Sequence, residues 1–135
     1  MKMSKRSDLE RSAREAMKNA YSPYSHFRVG AAILTEAGNI YTGCNVENIS
    51  FGLTVCAERN AIGQAIVTEG PGMKLKAVVV TSHNDAGETG ACSPCGACRQ
   101  VLAEFSDRET TVQYPGADGP VETTTEKLLP DSFRF

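Results

Sequence analysis

A chain of 135 residues, 41% hydrophobic and 22% charged, has room for one hydrophobic core and not for two. Its formal net charge of −2, with Lys and Arg scattered among slightly more acids, excludes the basic stripe that a nucleic-acid groove needs. No apolar run follows the basic start Met1-Lys2-Met3-Ser4-Lys5-Arg6 or reaches membrane-spanning length, and five cysteines, three of them clustered, fit metal binding in a reducing cytoplasm better than a disulfide framework.

Ser7-Asp8-Leu9-Glu10 reads as a capping box, and Leu9, Ala13, Ala16, Met17 and Ala20 follow at helical spacing, which predicts a first helix from Ser7 to about Ala20. Tyr21-Ser22-Pro23-Tyr24-Ser25 ends it, because Pro23 disfavours a helical conformation at Ser22. Phe27 to Thr35 and Ile40 to Val46 are β-rich runs joined by Glu36-Ala37-Gly38-Asn39, where Gly38 and Asn39 supply positive φ for a hairpin. Ala57, Ala61, Ile62, Ala65 and Ile66 recur at three and four, predicting a helix from Cys56 to about Glu69 with one buried face. Gly70-Pro71-Gly72 stops it, and no Lys-Ser/Thr follows to make a phosphate loop.

Lys76 to Ser82, centred on Ala77-Val78-Val79-Val80, is apolar without alternation, as a central strand covered on both faces should be. A polar loop from His83 to Ala91 leads to a helix from Cys95 to Phe105, with Val101, Leu102 and Phe105 inward, and then a strand from Thr110 to Tyr114. Val121 to Thr123 adds an edge strand, Thr125-Glu126-Lys127-Leu128-Leu129 a helical turn ended by Pro130, and Asp131 to Phe135 a tail bearing aromatics. The expected product is one α/β domain over 1–135, with a mixed sheet and helices packed on it.

The chemistry gathers at Cys92-Ser93-Pro94-Cys95-Gly96-Ala97-Cys98-Arg99-Gln100 and at Cys56-Ala57-Glu58-Arg59. Cys95 and Cys98, two residues apart at a helix start, can face one cation, and the free amides there favour thiolate over thiol. Cys56 makes a third ligand. Three protein ligands mark a catalytic zinc site, which keeps a position open for water, whereas a structural site closes with a fourth. Glu58, two residues from a ligand, is placed to work on that water. Three thiolates leave the site at a formal −1, so the two helix starts, each worth roughly half a positive charge, and Arg59 and Arg99 are expected to offset it from outside the ligand set.

Each of these residues also has a plainer reading. The cysteines could close a structural zinc site or sit as buried thiols, Cys92-x-x-Cys95 is a rival ligand pair, and Cys44 reads as a small buried residue. Asn45 and Glu47 could cap a strand end or bind loop amides. Phe27, Phe51 and Phe133 would by default be core or interface residues, and neither His26 nor His83 falls at a ligand spacing with the cysteines.

Cys56-Ala57-Glu58 followed by Pro94-Cys95-x-x-Cys98 resembles the zinc-deaminase signature and, within it, the small homotetrameric cytidine deaminases. The resemblance extends to Tyr21-Ser22-Pro23-Tyr24-Ser25-x-Phe27-x-Val29-Gly30-Ala31-Ala32, to Gly43-Cys44-Asn45-Val46-Glu47-Asn48, to Cys95-Gly96-Ala97-Cys98-Arg99-Gln100-Val101 and to Leu128-Leu129-Pro130. It implies a three-layer α/β/α fold of about five strands with helices on both faces. It implies hydrolytic deamination of cytidine and 2′-deoxycytidine in pyrimidine salvage, with one Zn²⁺ per subunit on Cys56, Cys95 and Cys98 and Glu58 as the proton carrier. It further implies Asn45 and Glu47 on the ribose hydroxyls, Phe27 against the pyrimidine, Ala57 offering backbone groups to the base edge, and Phe133 reaching a neighbouring subunit's pocket. Phe51 stands where related enzymes often carry Tyr. The rivals are a deaminase of an antibiotic nucleoside such as blasticidin S, which Asn45 and Glu47 argue against; a polynucleotide-editing enzyme, for which the chain is short and acidic; and a non-catalytic zinc module that binds protein.

Overall fold

The computed structural model describes residues 3–134. Its sheet is laid down by β1 (Phe27–Thr35), β2 (Ile40–Cys44), β3 (Leu75–Asn84), β4 (Thr111–Gly116) and β5 (Gly119–Thr124) in the order β2-β1-β3-β4-β5. β1 pairs antiparallel with both β2 and β3, β3 pairs parallel with β4, and β4 turns back antiparallel into β5. A parallel pair needs a crossover, and α3 (Gly96–Glu104) supplies it; α2 (Ala57–Glu69) likewise joins β2 to β3. The remaining helices are α1 (Met3–Met17) and the one-turn α4 (Thr125–Leu128), with a 3-10 turn at Phe51–Leu53.

Alternation along the strands decides which helix covers which face. Ala31 and Ile33 of β1, with Val78 and Val80 of β3, pack with Ala57, Ala61, Ile62 and Ala65 of α2 and Leu102 of α3. Their neighbours Ala32, Leu34, Ala77 and Val79 point the other way and bury Leu9 and Ala13 of α1. The result is three layers, with α1 on one face and α2 and α3 on the other, and it explains why β3 shows no alternation of polarity. Two glycines set how closely the helices approach. A Cβ on Gly30 would lie 2.0 Å from the Ala13 carbonyl oxygen of α1, and one on Gly43 would lie 2.4 Å from the Ala57 carbonyl oxygen of α2. The first turn of α2 therefore rests directly on β2.

Several boundaries differ from expectation, among them those of β3, β4 and β5 by one or two residues. The first helix begins at Met3 and not at Ser7, so the capping box lies inside it. Nothing before Ser7 breaks a helix, Lys5 and Arg6 are good helix formers, and Arg6 makes a close ion pair with Glu122 of β5. It ends at Met17 rather than near Ala20, because the amides of Lys18, Asn19 and Ala20 turn to the carbonyls of Glu15, Ala16 and Met17, a tightening common at helix ends. β2 stops at Cys44, and Val46 makes isolated bridges to Tyr21 and Val55 instead. In the hairpin turn Gly38 alone takes positive φ, at 91°.

Candidate metal centre and the pocket beside it

Two helices begin at the same place. Cys56 is the residue before α2 and Cys95 the residue before α3, both with extended backbone (φ −73°, ψ 156° and φ −68°, ψ 169°), and the Cys95 sulfur turns across its helix start to accept from the Cys98 amide. Cys98, one turn into α3, is wholly buried. The three sulfurs lie within 4.8 Å of one another, and Cys56 Sγ is 3.8 Å from Cys95 Sγ. Tetrahedral ligands at a zinc–sulfur distance of about 2.3 Å stand about 3.8 Å apart, so the donor set and its spacing fit Zn²⁺. Among the described residues no fourth His, Cys, Asp or Glu joins the cluster, which leaves the fit three-coordinate from the protein side.

The sulfurs are held from outside as well. The Cys98 amide donates to Cys95 Sγ at 3.5 Å, and Arg59 Nη2 donates to Cys56 Sγ at 3.6 Å and to the Thr54 carbonyl at 3.4 Å. A hydrogen bond from the Cys98 thiol, against the opposing effect of burial and with help from Arg59 and Cys95, brings the Cys56 thiol from 9.0 down to about 5. Cys98 moves the opposite way because of that same bond, with burial and the Glu58 charge adding to it.

Glu58 sits in the first turn of α2 and is only 4% exposed. Burial, reinforced by the negative charge at Cys56, raises its carboxyl pKa above the ordinary 4.5. Cys92 remains apart from the cluster. It packs against the core, its amide donates to the Pro115 carbonyl at 2.8 Å, and burial followed by the charges of Glu58, Cys56 and Cys95 pushes its thiol up to about 12. Cys44 stays half-buried at the end of β2. Arg99 does not reach sulfur by any hydrogen bond described. Its Nε donates to the Pro94 carbonyl at 2.7 Å and its Nη1 to the Leu128 carbonyl at 3.0 Å, so it clamps the ligand loop to α4.

A second polar group forms where β2 runs out. Asn45 is buried, its Oδ1 accepts from the Val29 amide and its Nδ2 donates to the Phe27 carbonyl, each at 2.9 Å. One amide proton and one lone pair remain to it. Glu47 Oε1 accepts the amides of Tyr24 and Ser25 at 3.0 and 3.1 Å, and Oε2 accepts the Ser25 hydroxyl at 2.5 Å. Desolvation works to raise the Glu47 pKa, but the Ser25 hydroxyl, the Ser25 and Tyr24 amides and His26 outweigh it and hold it below 4.5. This clamp secures a tight turn in which His26 sits in the left-handed region, φ 59°. Phe27 follows at once, its amide donating to Ser25 Oγ at 3.0 Å.

Asn45, Glu47 and Phe27 are thereby drawn into one hydrogen-bonded unit, while Ala57, wholly buried, can offer only backbone to a ligand. Phe133 is 72% exposed, and its carbonyl accepts from Gln100 Nε2 on α3 at 3.4 Å. His26 pairs with Asp85 at 2.9 Å, and His83 Nδ1 lies 2.8 Å from the Asn84 carbonyl; neither belongs to the sulfur cluster. Sequence reasoning passed over Ser25 and Thr54, whose partners lie in other segments. The turn signal around Pro23 pointed towards the first, and nothing pointed to the second.

The family model of the cytidine and deoxycytidylate deaminase zinc-binding region matches residues 3–114. A cytidine deaminase of Sporosarcina psychrophila is 46% identical over 122 residues, covering 90% of this chain and 85% of that one. A probable cytidine deaminase of Dictyostelium discoideum is also 46% identical, over 121 residues, with 90% and 78% covered. Among solved structures, the cytidine deaminase of Mycobacterium tuberculosis superposes with a TM-score of 0.79 at 39% identity, covering 96% of this chain and 97% of that one. That of Burkholderia pseudomallei does so with a TM-score of 0.82 at 38% identity, covering 98% and 100%.

Proposed function

Because this chain belongs to the cytidine and deoxycytidylate deaminase family, we propose that it hydrolyses cytidine and 2′-deoxycytidine to uridine and 2′-deoxyuridine, releasing ammonia, with Glu58 as its proton carrier. The observation that supports this most directly is the cup of three sulfurs with a buried carboxyl one residue beyond Ala57. Cys56, Cys95 and Cys98 hold one zinc, which when bound supplies the Lewis acidity that makes water a nucleophile near neutral pH.

Glu58 does the proton work. C4 of the pyrimidine accepts a nucleophile readily only when N3 is protonated, and the amino group leaves only after it gains a proton. Glu58 takes a proton from the attacking water and delivers it to N3. It then carries the remaining hydroxyl proton to the amino nitrogen, so that C4 is left as a carbonyl and ammonia departs. A carboxyl whose pKa is raised by burial suits both halves of this shuttle, since it takes up a proton more readily than a surface glutamate and can still give it back.

Asn45 and Glu47 hold the ribose, the spare amide proton and lone pair of Asn45 and the open lone pair of Glu47 meeting adjacent hydroxyls. Phe27 lies against the base, and Ala57 presents backbone polar groups to its edge. Arg59 favours thiolate at Cys56 through its contact with that sulfur, and Arg99 keeps Cys95 in place through Pro94.

Ammonia release and the ultraviolet change on converting cytidine to uridine, followed on a preparation whose zinc is measured in parallel, test the reading. One zinc per chain with no turnover of any cytosine nucleoside would replace it with a structural zinc module.

The chain acts as a single domain, in the cytoplasm, on a small-molecule substrate. No helix among the described residues is long and apolar enough to cross a membrane. The working form is a homotetramer with pockets completed between subunits. Ile49, Phe51 and Leu53 stand well exposed beside one another, Phe51 meeting Tyr24 edge-on at 5.9 Å, and Phe133 projects from the tail. A fully active monomer in sedimentation would overturn that assembly.

A further inference from the structure

Gly90 lies in the loop between β3 and α3, outside the sulfur cluster and the ribose-side group. Its φ lies outside the left-handed region, so glycine is not required there by a positive φ. It is required by what lies above it. A Cβ at Gly90 would stand 2.7 Å from Phe27 Cε1 and 3.2 Å from Cζ, closer than side-chain carbons approach one another. One of the two partners would have to move.

The loop cannot back away. The hydroxyl of Ser82, 3% exposed on β3, donates to the Gly90 carbonyl at 2.6 Å. Two residues on, the Cys92 amide donates to the Pro115 carbonyl at 2.8 Å. The backbone of Phe27 cannot move either, because its amide donates to Ser25 Oγ, its carbonyl accepts from Asn45 Nδ2, and its Cα is in register with Asn84 of β3. What remains free is the rotation of the Phe27 ring about its side-chain bonds. The bare Cα of Gly90 is thus a stop against which the ring rests.

We propose that Gly90, held by Ser82, is a positioning residue for the nucleoside: it sets the angle of the Phe27 ring and so the width of the slot for the pyrimidine. This rests on the reading above that Phe27 lies against the base. Sequence inspection alone had no means of finding it, since the loop is an unremarkable polar stretch and the contact spans 63 positions from Phe27 to Gly90.

The test is steady-state kinetics on zinc-loaded enzyme carrying Gly90→Ala, Phe27→Leu, and both. Gly90→Ala should raise KM for cytidine about 3- to 10-fold, the range expected for a displaced aromatic contact, with kcat within about twofold of the parent and one zinc per chain retained. In the Phe27→Leu background, where a flexible aliphatic chain yields to the new methyl, the same substitution should change KM by less than about twofold.

An equal KM rise in both backgrounds, or none in either, overturns the proposal. Phe27→Leu alone separates the two readings: if it leaves KM unchanged, Phe27 is not against the base and the parent reading falls, whereas a raised KM there with an unaffected Gly90→Ala removes Gly90 only. Should Gly90→Ala fail to fold, Ser82→Ala takes its place, since it releases the strap without adding volume. A KM rise with unchanged kcat and zinc content then supports the proposal, and parental KM overturns it.

Discussion

Burial makes Glu58 more basic than a surface glutamate, the property that the proposed proton shuttle would use. Glu58→Gln keeps the shape and the zinc ligands but removes the proton site, so kcat should fall by about 100- to 10,000-fold with one zinc per chain still found by metal analysis. Arg59→Gln strips Cys56 of its charged donor. Zinc affinity, measured by competition with a chelator, should drop about 10- to 100-fold, while a dissociation constant equal to the parent's would remove Arg59 from any part in the site. Glu47 carries a pH signature. Its folded pKa is depressed, so the stability it contributes is whole above the ordinary carboxyl value of 4.5 and disappears as pH falls through the depressed value. Glu47→Gln should therefore lower urea stability at neutral pH and converge with the parent under acid, and it should raise KM for cytidine about tenfold. A stability gap that persists or widens in acid contradicts this.

At the scale of elements, two glycines separate support from chemistry. Gly43 lets the first turn of α2 rest on β2, and that turn carries Glu58 and follows directly on Cys56. Gly30 does the same for α1, which brings no residue to the cluster. Both alanine variants should lose about 1–3 kcal/mol of stability through overpacking, read from urea unfolding. Only Gly43→Ala should also lower kcat of the folded, zinc-loaded protein, and a comparable kcat loss in Gly30→Ala would show that the distinction is false. What the chain spelled out in advance follows the same division. The gathering of Cys56, Cys95 and Cys98 was legible because each cysteine lies at a helix start or just inside it, and helix starts leave local signals. The beginning of α1 was misread because Ser7 and Glu10 imitate a start, while Glu122, the acid that Arg6 meets, lies 116 positions away. Of the two carbonyls that Arg99 meets, Pro94 is local, whereas Leu128 lies 29 positions on. No local pattern encodes contacts of that span.

For the whole molecule, the exposed side chains of Ile49, Phe51 and Leu53 are the surface on which the proposed tetramer would close. Replacing Phe51 with Glu places a charge in a desolvated contact, so sedimentation should show smaller species and turnover should fall with them; an intact tetramer would place the contact elsewhere. The cluster itself has a further meaning in the history of the chain. Cys95 and Cys98 are neighbours even in an unfolded polypeptide, but Cys56 lies 39 positions from Cys95, with α2 and β3 between them along the chain. A nascent chain can thus catch an ion with its near pair alone. If the third sulfur engages only once the fold brings it to the near pair, zinc uptake by the unfolded chain should proceed in a fast step and a slow one, the slow one keeping the pace of folding read by circular dichroism, and a single fast step would overturn this order.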